Sequence, residues 1–163
     1  MKLNINRIAL LAVTTILLVS CTNKSVIDEV RTFDSDKWNR FSPEVFNLDV
    51  KNIDNFYDID ICVSVDTAVF RYEDLPLTVN LYSSNRERRM FYANVPLKQN
   101  GRWRGEIIDG YRTVNQHIRT YFSFNAKGEH RMEVGQATSQ YDLEGVHSIG
   151  LNIYKVDLDY GDL

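Results

Sequence analysis

Two cysteines, three prolines and three histidines in 163 residues exclude several kinds of protein at once. So few cysteines cannot build a disulfide scaffold, and nothing in the chain repeats like a collagen or a coiled coil. Basic surplus is also missing, because 19 Lys and Arg face 22 Asp and Glu for a formal charge of -3. A nucleic-acid binder needs a basic stripe to neutralise phosphates, so that partner is excluded. Long apolar runs are absent except at the extreme N-terminus, which rules out a polytopic membrane protein. What is present is a 44% hydrophobic, 12% aromatic chain, enough to bury a core and too apolar to stay disordered.

Chemical motifs are equally scarce. There is no HExxH, no closely spaced Cys/His pair, no GxSxG, P-loop or GxGxxG, so no metal, nucleotide or other cofactor is expected. His117, His130 and His147 stand singly and read as polar surface or strand residues.

The N-terminus carries more information. Lys2 and Arg7 precede an apolar stretch from Ile8 to Val19, and small Ser20 stands before Cys21. That is the order of a secretory signal. Leu18-Val19-Ser20-Cys21 resembles a bacterial lipobox, in which the Cys becomes the acylated first residue after cleavage. The expected organisation is a signal over 1–20, a lipid-anchored tether over 21–36, a β-sandwich over 37–158 and a tail over 159–163. Cleavage would remove Lys2 and Arg7 and no acid, moving the formal charge from -3 to -5. Two or more acyl chains, palmitate among them, hold a protein durably on a membrane. No acid follows Cys21 until Asp28, which favours a domain facing the periplasm from the outer or the cell membrane. With Cys21 lipidated, Cys62 has no partner in the chain and reads as a small buried side chain, with a reactive or intermolecular thiol as the competing reading.

The remainder is a sequence of strands. From Tyr57 to Val65 the odd positions are apolar and Asp58, Asp60, Cys62 and Ser64 fill the even ones, the period-two pattern of a strand with one wet face. Leu75 to Leu81 and Ile149 to Ile153 repeat it. Weaker candidates are Val45–Val50, Phe91–Leu97, Arg102–Ile108, His117–Phe124 and His130–Ala137. Asn100-Gly101 is a hairpin signal, since a type I′ turn needs positive φ at both residues. Asn125 to Gly128 reads the same way. Helix is expected only as a short turn near Pro43 or within Asp109–Gln116. About eight short strands predict an all-β fold, an antiparallel jelly-roll-like sandwich.

Four groups of side chains are candidates for function. Asp58 and Asp60, with Asp54 and Asp66, are candidate calcium ligands, against a solvated face that discourages edge pairing. Arg86, Arg88 and Arg89 crowd one loop and can grip an acidic partner or lipid head group. Trp103 lies between Arg102 and Arg104, either as a packed rung or as part of the same recognition surface. Asp66-Thr67-Ala68 resembles the short motif at which Bacteroidetes O-glycosylate exported proteins, which makes Thr67 a candidate modification site.

Set side by side, the lipobox, the Trp38 segment, Tyr72-Glu73-Asp74-Leu75-Pro76-Leu77, Gly101-Arg102-Trp103-Arg104-Gly105 and the run from Tyr141 to Gly150 resemble the gliding-motility lipoprotein GldH family of Bacteroidetes. The resemblance implies a non-enzymatic, membrane-anchored accessory of the gliding and type IX secretion apparatus, partnered by envelope proteins and without catalytic residues. From the residues alone, Gly101, Gly145 and Gly150 are expected where a Cβ is excluded, and Leu143, Val146 and Ile149 where the last strand enters the core. A sugar-binding sandwich presenting Trp38 and Trp103 is the alternative, and a hydrolase is a third reading that requires a deep polar pocket.

Overall fold

Alternation from Tyr57 to Val65 produces a strand whose odd positions all face inward, with Ile59, Ile61, Val63 and Val65 wholly buried. The computed structural model describes residues 25–158, and this strand, β4 (Phe56–Val65), is central in its larger sheet. In chain order the others are β1 (Ser25–Thr32), β2 (Lys37–Asn39), β3 (Glu44–Val50), β5 (Asp74–Tyr82), β6 (Arg88–Pro96), β7 (Lys98–Gln99), β8 (Arg102–Trp103), β9 (Glu106–Ile108), β10 (Tyr111–Phe122), β11 (Gly128–Gln136), β12 (Asp142–Glu144) and β13 (Val146–Val156).

Two antiparallel sheets pack face to face, ordered β1-β13-β4-β10-β9 and β3-β11-β5-β6. Counting only the eight strands longer than three residues, in chain order, the sheets read 1-8-3-6 and 2-7-4-5. That is the double Greek key of a jelly roll, as expected from the spacing. The other strands are short additions: β9 extends one edge, β12 pairs β2, and β7 pairs β8. Between the sheets lie Ile59, Ile61, Ile149, Leu151 and Ile153 from one side and Phe46, Leu77, Val79, Leu81, Met132 and Val134 from the other. Burying each such side chain contributes about 1.5–3 kcal/mol, and together they hold the layers.

Several expectations are corrected. Ser25–Asp36, read as part of a tether, is instead β1 followed by a 3-10 turn at Asp34–Asp36. β1 pairs with β13 from Ser25 opposite Tyr154 to Thr32 opposite Ser148. A bulge between Ser25 and Ile27 breaks the alternation, and Asp28, Glu29 and Arg31 give the edge a polar look that composition reads as linker. No helical turn occurs at Pro43 or within Asp109–Gln116. Asp109 and Gly110, with φ of 51° and 89°, form a tight hairpin between β9 and β10. The Arg102–Ile108 strand breaks into β8 and β9. Asn125–Gly128 joins β10 to β11, which lie in different sheets, so it is a crossover rather than a hairpin. The Asn100-Gly101 hairpin forms as expected, with φ of 51° and 72°.

Connectivity gives the sandwich two unlike ends. At one end lie Ser25, Val156 and the loops 51–55, 83–87 and 123–127, since Ser25 pairs with Tyr154, Val156 with Phe56, and Tyr82 with Arg88. At the other lie the 66–73 loop, the Asp109-Gly110 turn and the β2–β12 pair. Trp38 is buried there, stacked on Phe33 at 4.9 Å and donating from Nε1 to the Ser42 carbonyl at 3.1 Å. Gly145 also belongs to that end: its amide donates to the Asp36 carbonyl and its carbonyl accepts from the Asp66 amide.

Candidate functional site

The four residues expected to share an interaction surface do not meet. β6 separates the arginine loop from Trp103, and its length from Arg88 to Pro96 is about 27 Å at ~3.4 Å per residue. The arginines also diverge. Arg86 stands exposed at the loop tip with φ 69°. Arg88 donates to Asn80 Oδ1 at 2.8 Å and lies over Tyr82, whose ring also carries Arg131. Arg89 pairs with Glu87 at 3.0 Å, donates to the Ser123 carbonyl and covers Phe122. Two of the three are therefore engaged in packing the chain on itself. Trp103 is half-buried under Lys98, whose Nζ is 4.4 Å from the ring centre. Trp38 is buried, so the two tryptophans do not form a joint flat platform for a sugar.

The aspartates divide, with Asp58 and Asp60 together on one face of β4 and Asp66 beyond its far end. Asp66 holds a turn, accepting from the Ala68 amide at 2.8 Å, and leaves Thr67 exposed beside it. Asp58 accepts from the Tyr121 amide. Asp60 is buried, and its Oδ1 lies 2.7 Å from His117 Nδ1. Among the described residues no His, Cys, Asp and Glu cluster has the geometry to hold a metal ion. Cys21 and the signal lie outside the described residues.

His117 completes a chain that sequence reasoning did not find. Its Nε2 lies 2.7 Å from Thr120 Oγ1, so Thr120, His117 and Asp60 stand in the order of a hydrolase relay. Their surroundings differ from an active site. Thr120 is exposed on an open sheet face, and the adjacent amide, that of Tyr121, is committed to Asp58 instead of facing a reaction centre. β10 shifts register on both sides of Arg119, and Tyr121 has φ 51°; the network ties down these bulges. Tyr154, on the same face, has its phenol pushed up by partial burial and by Asp60 and Asp58.

The other histidines are structural too. His147 stacks on Tyr111 at 3.7 Å and contacts Asp36 Oδ1 at 2.7 Å, while the Tyr111 hydroxyl reaches Asp36 Oδ2 at 3.3 Å. Partial burial, then Asp36, raises the Tyr111 phenol. His130, read as a polar surface or strand residue, lies in strand β11 and is buried, facing the core edge-on to Phe124. Cys62 is half-buried on the outer sheet face rather than in the core, and burial, then Asp28, pushes its thiol up. A thiol so placed stays protonated near neutrality and is a poor nucleophile.

Exposed aromatics were missed by the sequence reading. Phe41 and Tyr141, each 69% exposed, lean together at 5.5 Å between ring centres on the end opposite the chain's N-terminal strand start. Beside them a cleft of about 330 Å³ is lined by Val69, Tyr72 and Leu143 together with Arg71, Gln140, Asp142 and Glu144, with Val69 and Tyr72 also exposed. The only signal for this patch was an aromatic residue inside each of two polar turns, Arg40-Phe41-Ser42 and Gln140-Tyr141-Asp142.

No helix among the described residues is long and apolar enough to cross a membrane. No curated protein matches the chain. Residues 25–153 match the family described as GldH lipoprotein, a span that runs from the first residue of β1 into β13, and the chain belongs to the GldH lipoprotein family.

Proposed function

We propose that this chain is a lipid-anchored, non-enzymatic assembly component of the gliding-motility and type IX secretion apparatus, held by acylated Cys21 with its sandwich in the periplasm. Membership of the GldH lipoprotein family over residues 25–153 is the observation that carries the reading, and it implies a membrane-anchored envelope lipoprotein of gliding motility. The family is not known as enzymatic. The way the polar side chains are used supports the finer role: His117, Asp60 and Asp58 hold bulges, His147 holds the 3-10 turn, and Arg88 and Arg89 pack on aromatic rings. Such a scaffold works by holding a partner.

Deletion of the gene, followed by assay of secreted cargo at the cell surface, tests this role. Loss of surface cargo restored by the wild-type chain supports it; unchanged secretion and motility would sink it. Replacing Cys21 with Ser tests the anchor, with the domain expected to leave the membrane fraction. A Cys21→Ser chain that stayed in that fraction would contradict acyl anchoring.

A further inference from the structure

The end of the sandwich at which β1 begins fixes how the domain meets a membrane. Ser25 is already paired with Tyr154, so only Thr22, Asn23 and Lys24 separate the lipid-bearing Cys21 from the fold. Four residue steps span at most about 14 Å. A tether of that length keeps the start of β1 close to the membrane surface. The end carrying Ser25, Val156 and the loops 51–55, 83–87 and 123–127 is therefore held near the lipid head groups, and its polar and charged loops, with Lys51, Asn52, Asn85, Arg86, Asn125 and Lys127 exposed among them, suit that position. The opposite end lies farther out by about the length of β4, ten residues or ~33 Å.

Exposed apolar side chains are distributed unevenly between these ends. The outer end carries the exposed Phe41–Tyr141 pair, Val69 and Tyr72 at the mouth of the adjoining cleft that Arg71, Asp142 and Glu144 also line, and Ile107 and Ile108 on the edge strand β9. The inner loops 51–55, 83–87 and 123–127 expose a single large apolar residue, Ile53, with Met90 and Tyr121 exposed on the strands that join them. Isolated surface hydrophobics are ordinary, whereas several gathered round a cleft mark a binding site. Lipid is not its occupant, because the short tether directs this end away from the membrane. Copies anchored in one leaflet all point the same way, so a second copy could meet this end only side by side and not end to end.

We propose that the domain stands on its membrane by the end bearing its N-terminal strand start, and receives on the outer end, around Phe41, Tyr141, Val69 and Tyr72, an apolar protrusion of a different envelope protein. This rests on the anchoring reading given above. The occupant is a protein segment that lays an aliphatic or aromatic side chain against the Phe41 and Tyr141 rings and polar groups against Arg71, Asp142 and Glu144 of the adjoining cleft.

Two experiments test it. First, the full lipidated chain with Cys62→Ala is labelled with a fluorophore at Ile53→Cys or Tyr141→Cys and reconstituted into vesicles containing a nitroxide-headgroup lipid. Given the separation of the two ends, quenching at 53 is expected to exceed that at 141 by at least about fivefold. Equal quenching would overturn the orientation, and failure to bind vesicles would remove the anchoring reading as well.

Second, a benzophenone amino acid replaces Phe41, or Tyr92 on the side of the sandwich, which is 70% exposed and serves as control. Irradiated cells should give one adduct from position 41, abolished by Tyr141→Asp, and none from position 92. An adduct of twice the chain's mass, or one from position 92 alone, would overturn the proposal. The double variant F41D/Y141D should stay folded and in the membrane fraction yet lose secretion as the deletion does. A phenotype on deletion with none in the double variant would defeat the docking surface and leave the proposed function standing.

Discussion

Gly145 has φ 82°, and a Cβ there would lie 2.6 Å from the Phe70 amide nitrogen, closer than any real contact. Gly101 has φ 72° but open space around it. The two substitutions to Ala should therefore differ: about 1 kcal/mol at Gly101, where only the left-handed backbone resists a side chain, and about 2–4 kcal/mol at Gly145, where Phe70 must also move. Urea unfolding of both variants measures this, and equal losses would contradict the packing of the 66–70 turn on Gly145. Cys62 gives a pH prediction at the same scale. Its folded pKa is raised, chiefly by burial, so the unfolded chain gives up the thiol proton first as pH rises. The stabilisation is complete below the ordinary thiol range and is lost above it. Wild-type chain should lose more stability than Cys62→Ala between neutral and strongly alkaline pH, as read from urea midpoints. The raised tyrosines Tyr111 and Tyr154 are common to both chains and cancel in the difference.

β1 shows what a strand looks like when its pattern is broken. Its single fully buried residue is Ile27, and a bulge puts half-buried Val26 beside it out of phase. β4, β5 and β13 kept their alternation and were legible as strands, because each packs one whole face on the core. An edge strand packs little and carries charge to repel other edges, so its sequence resembles a linker. The boundary matters experimentally. A chain beginning at Ser25 should melt cooperatively, whereas one beginning at Lys37 lacks β1 and exposes the β13 edge along with core around Ile27. Circular dichroism and size exclusion should find the shorter chain unfolded or aggregated. Cooperative melting of both at one temperature would show that β1 adds nothing to the fold. Asp109-Gly110 teaches the converse: the Arg102–Ile108 candidate covered β9, but the hairpin went unread because Tyr111–Gln116, the first half of β10, was placed within an expected helical turn.

For the whole molecule, the length of free chain after Cys21 decides what the domain can reach. Inserting about a dozen flexible Gly/Ser residues after Lys24 would let it rotate, since such a linker adds an end-to-end distance of roughly 20 Å. That variant should melt like wild type and remain in the membrane fraction, but the labels at positions 53 and 141 should approach equal quenching by headgroup nitroxide. A difference as large as that of the native tether would mean that contacts of the domain, and not the short tether, set its orientation.

The sequence by itself determined the all-β class, the jelly-roll-like sandwich, the Asn100-Gly101 hairpin and the family, since all depend on local periodicity, turn chemistry and the order of motifs along the chain. It was also enough to nominate the arginines, Trp103 and the aspartates as candidates. Tertiary structure alone decided that these do not converge, because separation in space along β6 and across sheets is not encoded in the identity of neighbouring residues. The same holds for the exposed end. Phe41 and Tyr141 are a hundred residues apart in the chain, and only the pairing of β2 with β12, Asn39 opposite Asp142, brings their rings together.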